Sequence, residues 1–519
     1  MIPAAFACAS AAAVACVLAV SPAASAAIPP PPDRAACEAS EAKTQLPPRV
    51  SRAPAKRAPR VFAIQYKQEL KNIESYEAFR TKIECMVRGY VLPRLARGRP
   101  NVVAFNEDVG LATIATGSRG AAAREQFAQP GSSPSCEQQG APCGALAALG
   151  AITAAYAGPL AAYRARFPDL GPVEQGFLAP TDTFARGWMQ TFSDIARRYR
   201  VYILGSNTQA PFLESRDPAE ITTFADPDLP RPESVYVATE GNVYNEVFMW
   251  GPKTVCPECP KPLRNVVARN RKVPLTALEE QLEISPGPAT GPEAIENVRP
   301  YRLPGTKARI SFATSLPAFV FGHDLGTEPP SLDPCSDVSL YYMRCLDRLG
   351  TNLVIQDEAN PGRWTTAAQS GGWQPLEWMS STWRHVADRT VDFAYNVTPF
   401  MVGNLADLPF DGQTAITQRP RTGGRRCTFV GNRVFDPPPG GTDPVEYRRY
   451  SGPKRRFLGI APWVQRGHDR EALAQVGARL APGSGDELEN DYVETAVIAD
   501  LPFPARRGRR GCARVRRAR

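Results

Sequence analysis

The apolar positions of this chain fall into runs that alternate between strand-like and helix-like spacing. Val61-Phe-Ala-Ile-Gln-Tyr66 is a short, mostly apolar run that reads as a strand. From Ser75 onward, Phe79, Ile83, Met86 and Val87 recur at helical spacing. Asn101-Val-Val-Ala-Phe105 reads as a second, buried strand, ending at Asn106-Glu107-Asp108. Residues 110–180 are rich in Ala, Gly and Ser without a clear strand, which suggests an inserted helical or loop excursion. Thr183 to Tyr199 is helical, with Arg197 and Arg198 suited to its C-terminal end. Val201-Tyr-Ile-Leu204 is a strand, and residues 234–239 and 243–250 read as a hairpin about Glu240-Gly241-Asn242.

Further on, Arg309 to Phe321 is an apolar strand region. Ser336 to Leu349 is helical and stops at Gly350, and Asn352-Leu-Val-Ile355 is a strand. Pro375 to Asp388 is helical, followed by strand candidates near Val391–Tyr395 and Phe400–Gly403. Residues 417–456 are rich in Pro, Gly and Arg and loop-like, and Tyr492 to Asp500 is a late strand. No internal repeat is visible. Strands alternating with helices predict a layered α/β (α+β) architecture. Polar residues at the C-terminal ends of core strands, as after Val102–Phe105, stand where open α/β sheets build their sites.

Composition narrows the picture. The 519 residues suit several cores or one large α/β domain with long insertions. At 43% hydrophobic and 22% charged, the chain has enough apolar material to fold, so wholesale disorder is excluded. The only long uncharged apolar run is N-terminal, which excludes a polytopic membrane protein. Of the net charge of +9, most comes from the last fifteen residues, which hold eight Arg and no acid. The body is close to neutral, so no nucleic-acid partner is expected. The tail would suit acidic surface polymers, with a solubilising role as the alternative.

Residues 1–27 read as a signal peptide, with Ala24-Ser25-Ala26 supplying the small-residue cleavage pattern. The expected location is secreted, extracellular or periplasmic. Residues 28–60 are Pro-rich and read as a linker or surface-wrapping segment, and residues 504–519 as the Arg-rich tail. In an oxidising compartment most of the remaining cysteines should pair. Cys136 and Cys143 flank a short loop, and Cys256-Pro-Glu-Cys259 reads as a local disulfide, since zinc would require a second such pair.

Three positions carry candidate chemistry. Glu107 follows a core strand; Lys272 stands in Arg269-Asn-Arg-Lys272-Val-Pro-Leu-Thr276, with Glu280 beyond it; Cys335 opens the helix that runs to Gly350. A thiol at a helix start is biased toward thiolate. A lysine would stabilise the thiolate and then an oxyanion, and a carboxylate would move the proton. Those three groups suffice for covalent acyl transfer without histidine. The histidines, His323, His385 and His468, stand in no triad-like or metal-binding context.

The order of these motifs resembles the carbon–nitrogen hydrolase (nitrilase/amidase) superfamily. The matching stretches are Val102-Val-Ala-Phe-Asn-Glu107, Arg271-Lys272-Val-Pro-Leu-Thr276, and Cys335-Ser-Asp337 through Leu349-Gly-Thr-Asn352. Val243-Tyr-Asn-Glu-Val-Phe-Met-Trp-Gly251, Gly412-Gln-Thr-Ala-Ile416 and Glu494-Thr-Ala-Val-Ile-Ala-Asp500 resemble flanking family segments. The resemblance implies a four-layer α-β-β-α sandwich over residues 61–503, with insertions near 110–180 and 417–490. It implies Cys335 as nucleophile, Glu107 as general base and acid, Lys272 as oxyanion stabiliser, and Glu280 as a second, positioning carboxylate. Trp364 falls where the family's pocket wall would be. The implied reaction is hydrolysis of a small amide or nitrile through a thioester or thioimidate. No metal or cofactor is implied; the family often pairs into dimers, so a homodimer is an open expectation.

Two departures bear on this. A strand normally leads straight into the nucleophile, yet residues 322–334 separate Arg309–Phe321 from Cys335. Either that stretch is an insertion, or the strand ends near Thr314-Ser315-Leu316. In the second case the family cysteine is missing, Ser315 stands nearby, and inactivity becomes an open outcome. Pro274 also replaces the usual His after the Lys. The rival to the enzyme is a secreted protein that keeps the fold for binding or assembly. Iodoacetamide mapping under non-reducing conditions separates the two: an alkylated Cys335 favours the Cys enzyme, and a disulfide-linked Cys335 favours its rival.

Overall fold

The structure is a computed structural model that describes residues 28–51, 58–128, 143–171, 173–228, 233–324, 327–365, 374–419, 428–430 and 470–503. The signal-peptide expectation, the Arg tail, Cys136 and most of 417–490 fall outside these. In chain order the strands are β1 Thr44–Gln45, β2 Arg49–Ser51, β3 Arg60–Lys67, β4 Asn101–Ala104, β5 Tyr202–Gln209 and β6 Phe212–Ser215. Next come β7 Val235–Ala238, β8 Tyr244–Trp250, β9 Val266–Arg271, β10 Tyr301–Arg302, β11 Arg309–Phe312 and β12 Leu353–Ile355. The last six are β13 Tyr395–Thr398, β14 Phe400–Leu405, β15 Leu408–Phe410, β16 Ala415–Gln418, β17 Thr428–Val430 and β18 Val493–Asp500.

They form a large mixed sheet, ordered β1-β18-β3-β4-β5-β8-β9 with β2, β14 and β15 attached, and a second sheet, β10-β11-β12-β13-β16-β17. In the first, β3, β4 and β5 are parallel. Strand β8 runs antiparallel to β5, and β9 antiparallel to β8, so β9 again points the same way as β4. In the second, β11, β12 and β13 are parallel.

Period-two alternation decides how the sheets pack. Val61 and Ala63 of β3, Val102 and Ala104 of β4, and Val247 and Met249 of β8 share one apolar cluster with Ile310, Phe312, Leu353, Ile355 and Val397 of the second sheet. The intervening residues Phe62, Ile64, Val103, Phe248 and Trp250 face the opposite way, onto Phe79, Ile83, Trp188, Phe192 and Ile195 of the helical layer. On the far side of the second sheet, Val354 packs with Val338, Tyr342 and Leu346 of the helix Val338–Arg348. The chain is thus a mixed α/β structure, with sheets face to face and helices outside.

Several expectations change. The segment 28–60 is more than a linker: a helix, Arg34–Ser40, is tied by the Cys37–Cys85 disulfide, and β1 and β2 both pair with β18. The expected hairpin does not form. Strand β7 pairs with β6, while β8, buried along its whole length, sits between β5 and β9 inside the large sheet. Strand β11 stops at Phe312 rather than Phe321, because Pro317 lacks the N–H a strand would need and a 3-10 turn, Leu316–Phe319, begins there.

One buried ion pair fastens the large sheet to its helical layer. Lys82, on the helix Tyr76–Met86, meets Glu494 on β18 and donates also to Ser40 O at 3.2 Å. Glu494 accepts a further bond from Gln45 Nε2 at 2.9 Å. Lys82→Ala should destabilise by about 3–5 kcal/mol, since it leaves a carboxylate buried without its cation. Denaturant unfolding measures this, and the double change to Lys82→Met with Glu494→Leu should recover much of the loss.

Candidate active site

The topology delivers four chain segments to one edge. Strands β4 and β9 end there with Glu107 and Lys272 just beyond, and β11 and β12 of the facing sheet end in Ala313-Thr314-Ser315 and Gln356-Asp357-Glu358. Strand β8, running the other way, begins there, so Asn245 joins them.

Lys272 Nζ donates to Glu107 Oε1 at 3.0 Å and to Glu279 Oε1 at 2.8 Å. Asn245 Nδ2 donates to the same two oxygens, at 2.8 Å and 2.9 Å. Glu107 Oε2 accepts the backbone N–H of Ala359 at 3.1 Å. Lys272 and Glu107 are only 2% and 5% exposed, so these charges depend on one another rather than on water.

The electrostatics follow from that burial. Burial raises the Glu107 carboxyl above the usual range, opposed by the Lys272 ammonium and by hydrogen bonds from Lys272 and Asn245. Burial works against the charge of Glu279 as well, but Lys272 outweighs it and holds that carboxyl low. Lys272 is held well above its ordinary value: its burial is overcome by the two carboxylates. Among the described residues, the neighbouring acids Asp108, Asp357 and Glu358 form no ion pair of their own. Burial and the Glu107 charge push Asp357 up to about 7 and Glu358 up to about 8. Asp108 is pushed up to about 8 by burial, then by Glu107.

Ser315 lies just beyond β11, at the cap of the 3-10 turn Leu316–Phe319. Its backbone N–H donates to Asp357 O at 3.2 Å, and its hydroxyl donates to Asn360 Oδ1 at 2.9 Å. Asn360 Nδ2 is held by Glu358 Oε2 at 2.5 Å. Ser315 and Glu107 therefore bind neighbouring residues of one short loop, Asp357–Asn360. Ser315 adopts φ 53° and ψ −114°, a strained conformation for a residue with a side chain. Observed strain of this kind at a buried residue is held in place by its surroundings, here the loop Asp357–Asn360 that both Ser315 and Glu107 bond.

Of the sequence candidates, the structure brings Glu107 and Lys272 together and leaves two others outside. Cys335 is bonded to Cys345, so its sulfur is no thiolate. The helix starts at Val338 with Asp337 as its cap, so Cys335 lies before the first turn rather than in it. Glu280 is exposed, and the second carboxylate is Glu279. The reason is a capping box: Thr276 Oγ1 accepts from Glu279 N, and Glu279 Oε2 accepts from Thr276 N at 2.9 Å, which turns the side chain back toward Lys272. The Thr276-x-x-Glu279 spacing carried that signal. Trp364 is buried, and its backbone N–H donates to Asp411 Oδ2 at 2.7 Å. Asn245 was missed; its signal was a polar residue on the strand face of Val247 and Met249.

Among the described residues, the cluster of metal-type donors is Cys256, Glu258 and Cys259, and its two sulfurs form a disulfide. Backbone strain at position 315 can be measured directly. Ser315→Gly and Ser315→Ala both lose the hydroxyl, but only glycine tolerates this φ, so the Gly variant should be more stable by about 1–2 kcal/mol in denaturant unfolding.

No protein-family model matches this sequence, and no curated protein matches it either. Among solved structures, a carbon–nitrogen hydrolase from Helicobacter pylori G27 aligns over 70% of this chain and 81% of its own, at 10% identity and a TM-score of 0.35. An amidase from Nesterenkonia sp. aligns over 71% and 85%, at 12% identity and a TM-score of 0.32. A variant of the amidase from Nesterenkonia sp. AN1, with the acetamide moiety of fluoroacetamide added covalently at its active-site cysteine, aligns over 71% and 86%, at 12% identity and a TM-score of 0.33. Each of these three alignments covers about 70% of this chain, at 10–12% identity.

Proposed function

We propose that this chain is a hydrolase of non-peptide carbon–nitrogen bonds in small amides, built on a four-layer α-β-β-α sandwich of the nitrilase type with long insertions. The nucleophile is Ser315 in place of a cysteine. The observation that carries the reading is that a strained, buried Ser315 and Glu107, itself paired with Lys272, both bond the one short loop Asp357–Asn360. A buried cluster with more carboxylate than ammonium contributes little to stability. Its conjunction with a strained hydroxyl therefore favours chemistry over packing.

In the proposed cycle the Ser315 Oγ attacks the amide carbon and its proton passes to Glu107. The carbonyl π pair moves to oxygen, where the Lys272 ammonium stabilises it. Collapse expels the amine, which takes the proton from Glu107 and leaves an ester on Ser315. Water then attacks the ester and gives its proton to Glu107, which returns it to Ser315 as the acid leaves. The raised carboxyl of Glu107 suits a group that accepts and returns a proton during turnover. The disulfides Cys37–Cys85, Cys256–Cys259 and Cys335–Cys345 support action in an oxidising, extracytoplasmic compartment.

A non-catalytic binding protein is the second reading. It is favoured by the Cys335–Cys345 disulfide and by the Ser315 hydroxyl being committed to Asn360 rather than to Glu107. Ammonia release from a panel of small primary amides tests the first. Ser315→Ala should abolish turnover, and Lys272→Ala should slow it by about 10²–10³-fold. In Ser315→Cys the new thiol should react with iodoacetamide faster than an ordinary thiol, because Lys272 favours the thiolate. A wild type that hydrolyses nothing, with an unreactive thiol at 315, would leave the binding reading in possession.

A further inference from the structure

Asn245 does something in this cluster that Lys272 alone cannot. Its Nδ2 and the Lys272 Nζ each donate to the same pair of acceptors, Glu107 Oε1 and Glu279 Oε1. Two nitrogens and two oxygens close a ring of hydrogen bonds in a buried site. The ring contains two carboxylates and one ammonium. Two carboxylates held this close tend to share a proton, because both cannot ionise cheaply. A neutral amide gives each of them a second donor without adding either charge or proton.

We propose that Asn245 is a positioning residue that keeps Glu107 deprotonated and aimed at the reacting atoms; the catalytic part of this rests on the hydrolase reading above. The groups facing Glu107 make that donor matter. Lys272 is the cation, while Glu279, Asp108, Asp357 and Glu358 are acids whose charges, like burial itself, disfavour a second carboxylate. Of the two members of the ring, Glu107 is the one that takes a proton, because Glu279 has three further donors: the Thr276 N–H, the Thr276 hydroxyl, and a second contact to Lys272. The Asn245 main chain is independent of this role: its carbonyl accepts Lys272 N at 2.9 Å whatever the side chain.

The direction of the effect is fixed. Asn245 stabilises the ionised form of Glu107, so its removal raises the pH at which Glu107 loses its proton. Isotope-edited infrared titration of the full chain, labelled with ¹³C-glutamate, reads this directly. The protonated-carboxyl band that vanishes in Glu107→Gln belongs to Glu107. Its midpoint should move up by about one to two pH units in Asn245→Leu, the worth of a hydrogen bond to a charged group. It should move further in Asn245→Asp, which adds a third carboxylate and is the nearer match in shape should the Leu variant fail to fold. An unchanged midpoint in a folded variant overturns the proposal. The measurement needs no turnover, so it stands apart from the amide assay: a chain that hydrolyses no amide still reports whether Asn245 sets this proton. Where turnover is present, the acidic limb of the kcat/KM profile should move by the same amount, with rate recovered at high pH. A purely structural role would lower Tm and leave that limb in place.

Discussion

One ammonium serving two carboxylates is the constraint around which this molecule is organised. Lys272 is nearly inaccessible to water and is bonded to both Glu107 and Glu279. Desolvation opposes each of these charges, and only their mutual contacts offset it. Among the described residues, the surrounding acids form no ion pair of their own. Asp108, Asp357 and Glu358 are therefore pushed toward neutral pH, so the site as a whole is short of positive charge. Such a cluster cannot hold a fold together; a fold has to hold it.

The two facing sheets do that by direction. Strands β4 and β9 lie in different parts of the large sheet, yet two antiparallel reversals through β8 make them point the same way. Their ends therefore present Glu107 and Lys272 at one edge. The second sheet brings β11 and β12 to that edge through a shared apolar layer of Val61, Val102, Met249, Ile310, Leu353 and their neighbours. Each strand alternates, so every residue that points into this layer fixes the orientation of the polar residue that follows the strand. Close packing of the layer is what makes distances of about 3 Å between charged groups reproducible.

Ser315 and Cys335 show how the same chain separates two kinds of residue. Ser315 lies where the strand breaks, under backbone strain, with its hydroxyl held by Asn360 and Asn360 held by Glu358. Cys335 lies on the helix-covered side of the second sheet, and its bond to Cys345 secures the segment before the helix Val338–Arg348. A sulfur in that position stabilises the fold by cross-linking it and has no chemistry left to offer.

Much of this was legible in residue order. Apolar periodicity marked β3, β4, β12, β18 and the helices Tyr76–Met86 and Val338–Arg348, because burial on one face imposes a period whatever the partner is. It also marked Glu107 as a polar residue at a strand end, whereas the strand before Lys272 was not foreseen and Lys272 stood out only by its place in the order of motifs. What it could not give was which side chains meet. The choice between Glu279 and Glu280 turned on a capping box that rotates one carboxylate inward. The fate of Cys335 turned on a disulfide to a residue ten positions along the chain. The pairing of β7 with β6 rather than β8, and the arrival of Asn245 beside two carboxylates, depended on contacts between segments far apart in the chain. Local propensity and period are properties of neighbours in sequence, and so the chain itself determined them. Proton affinity and the partners of a buried charge are properties of neighbours in space, and only the tertiary structure decided those.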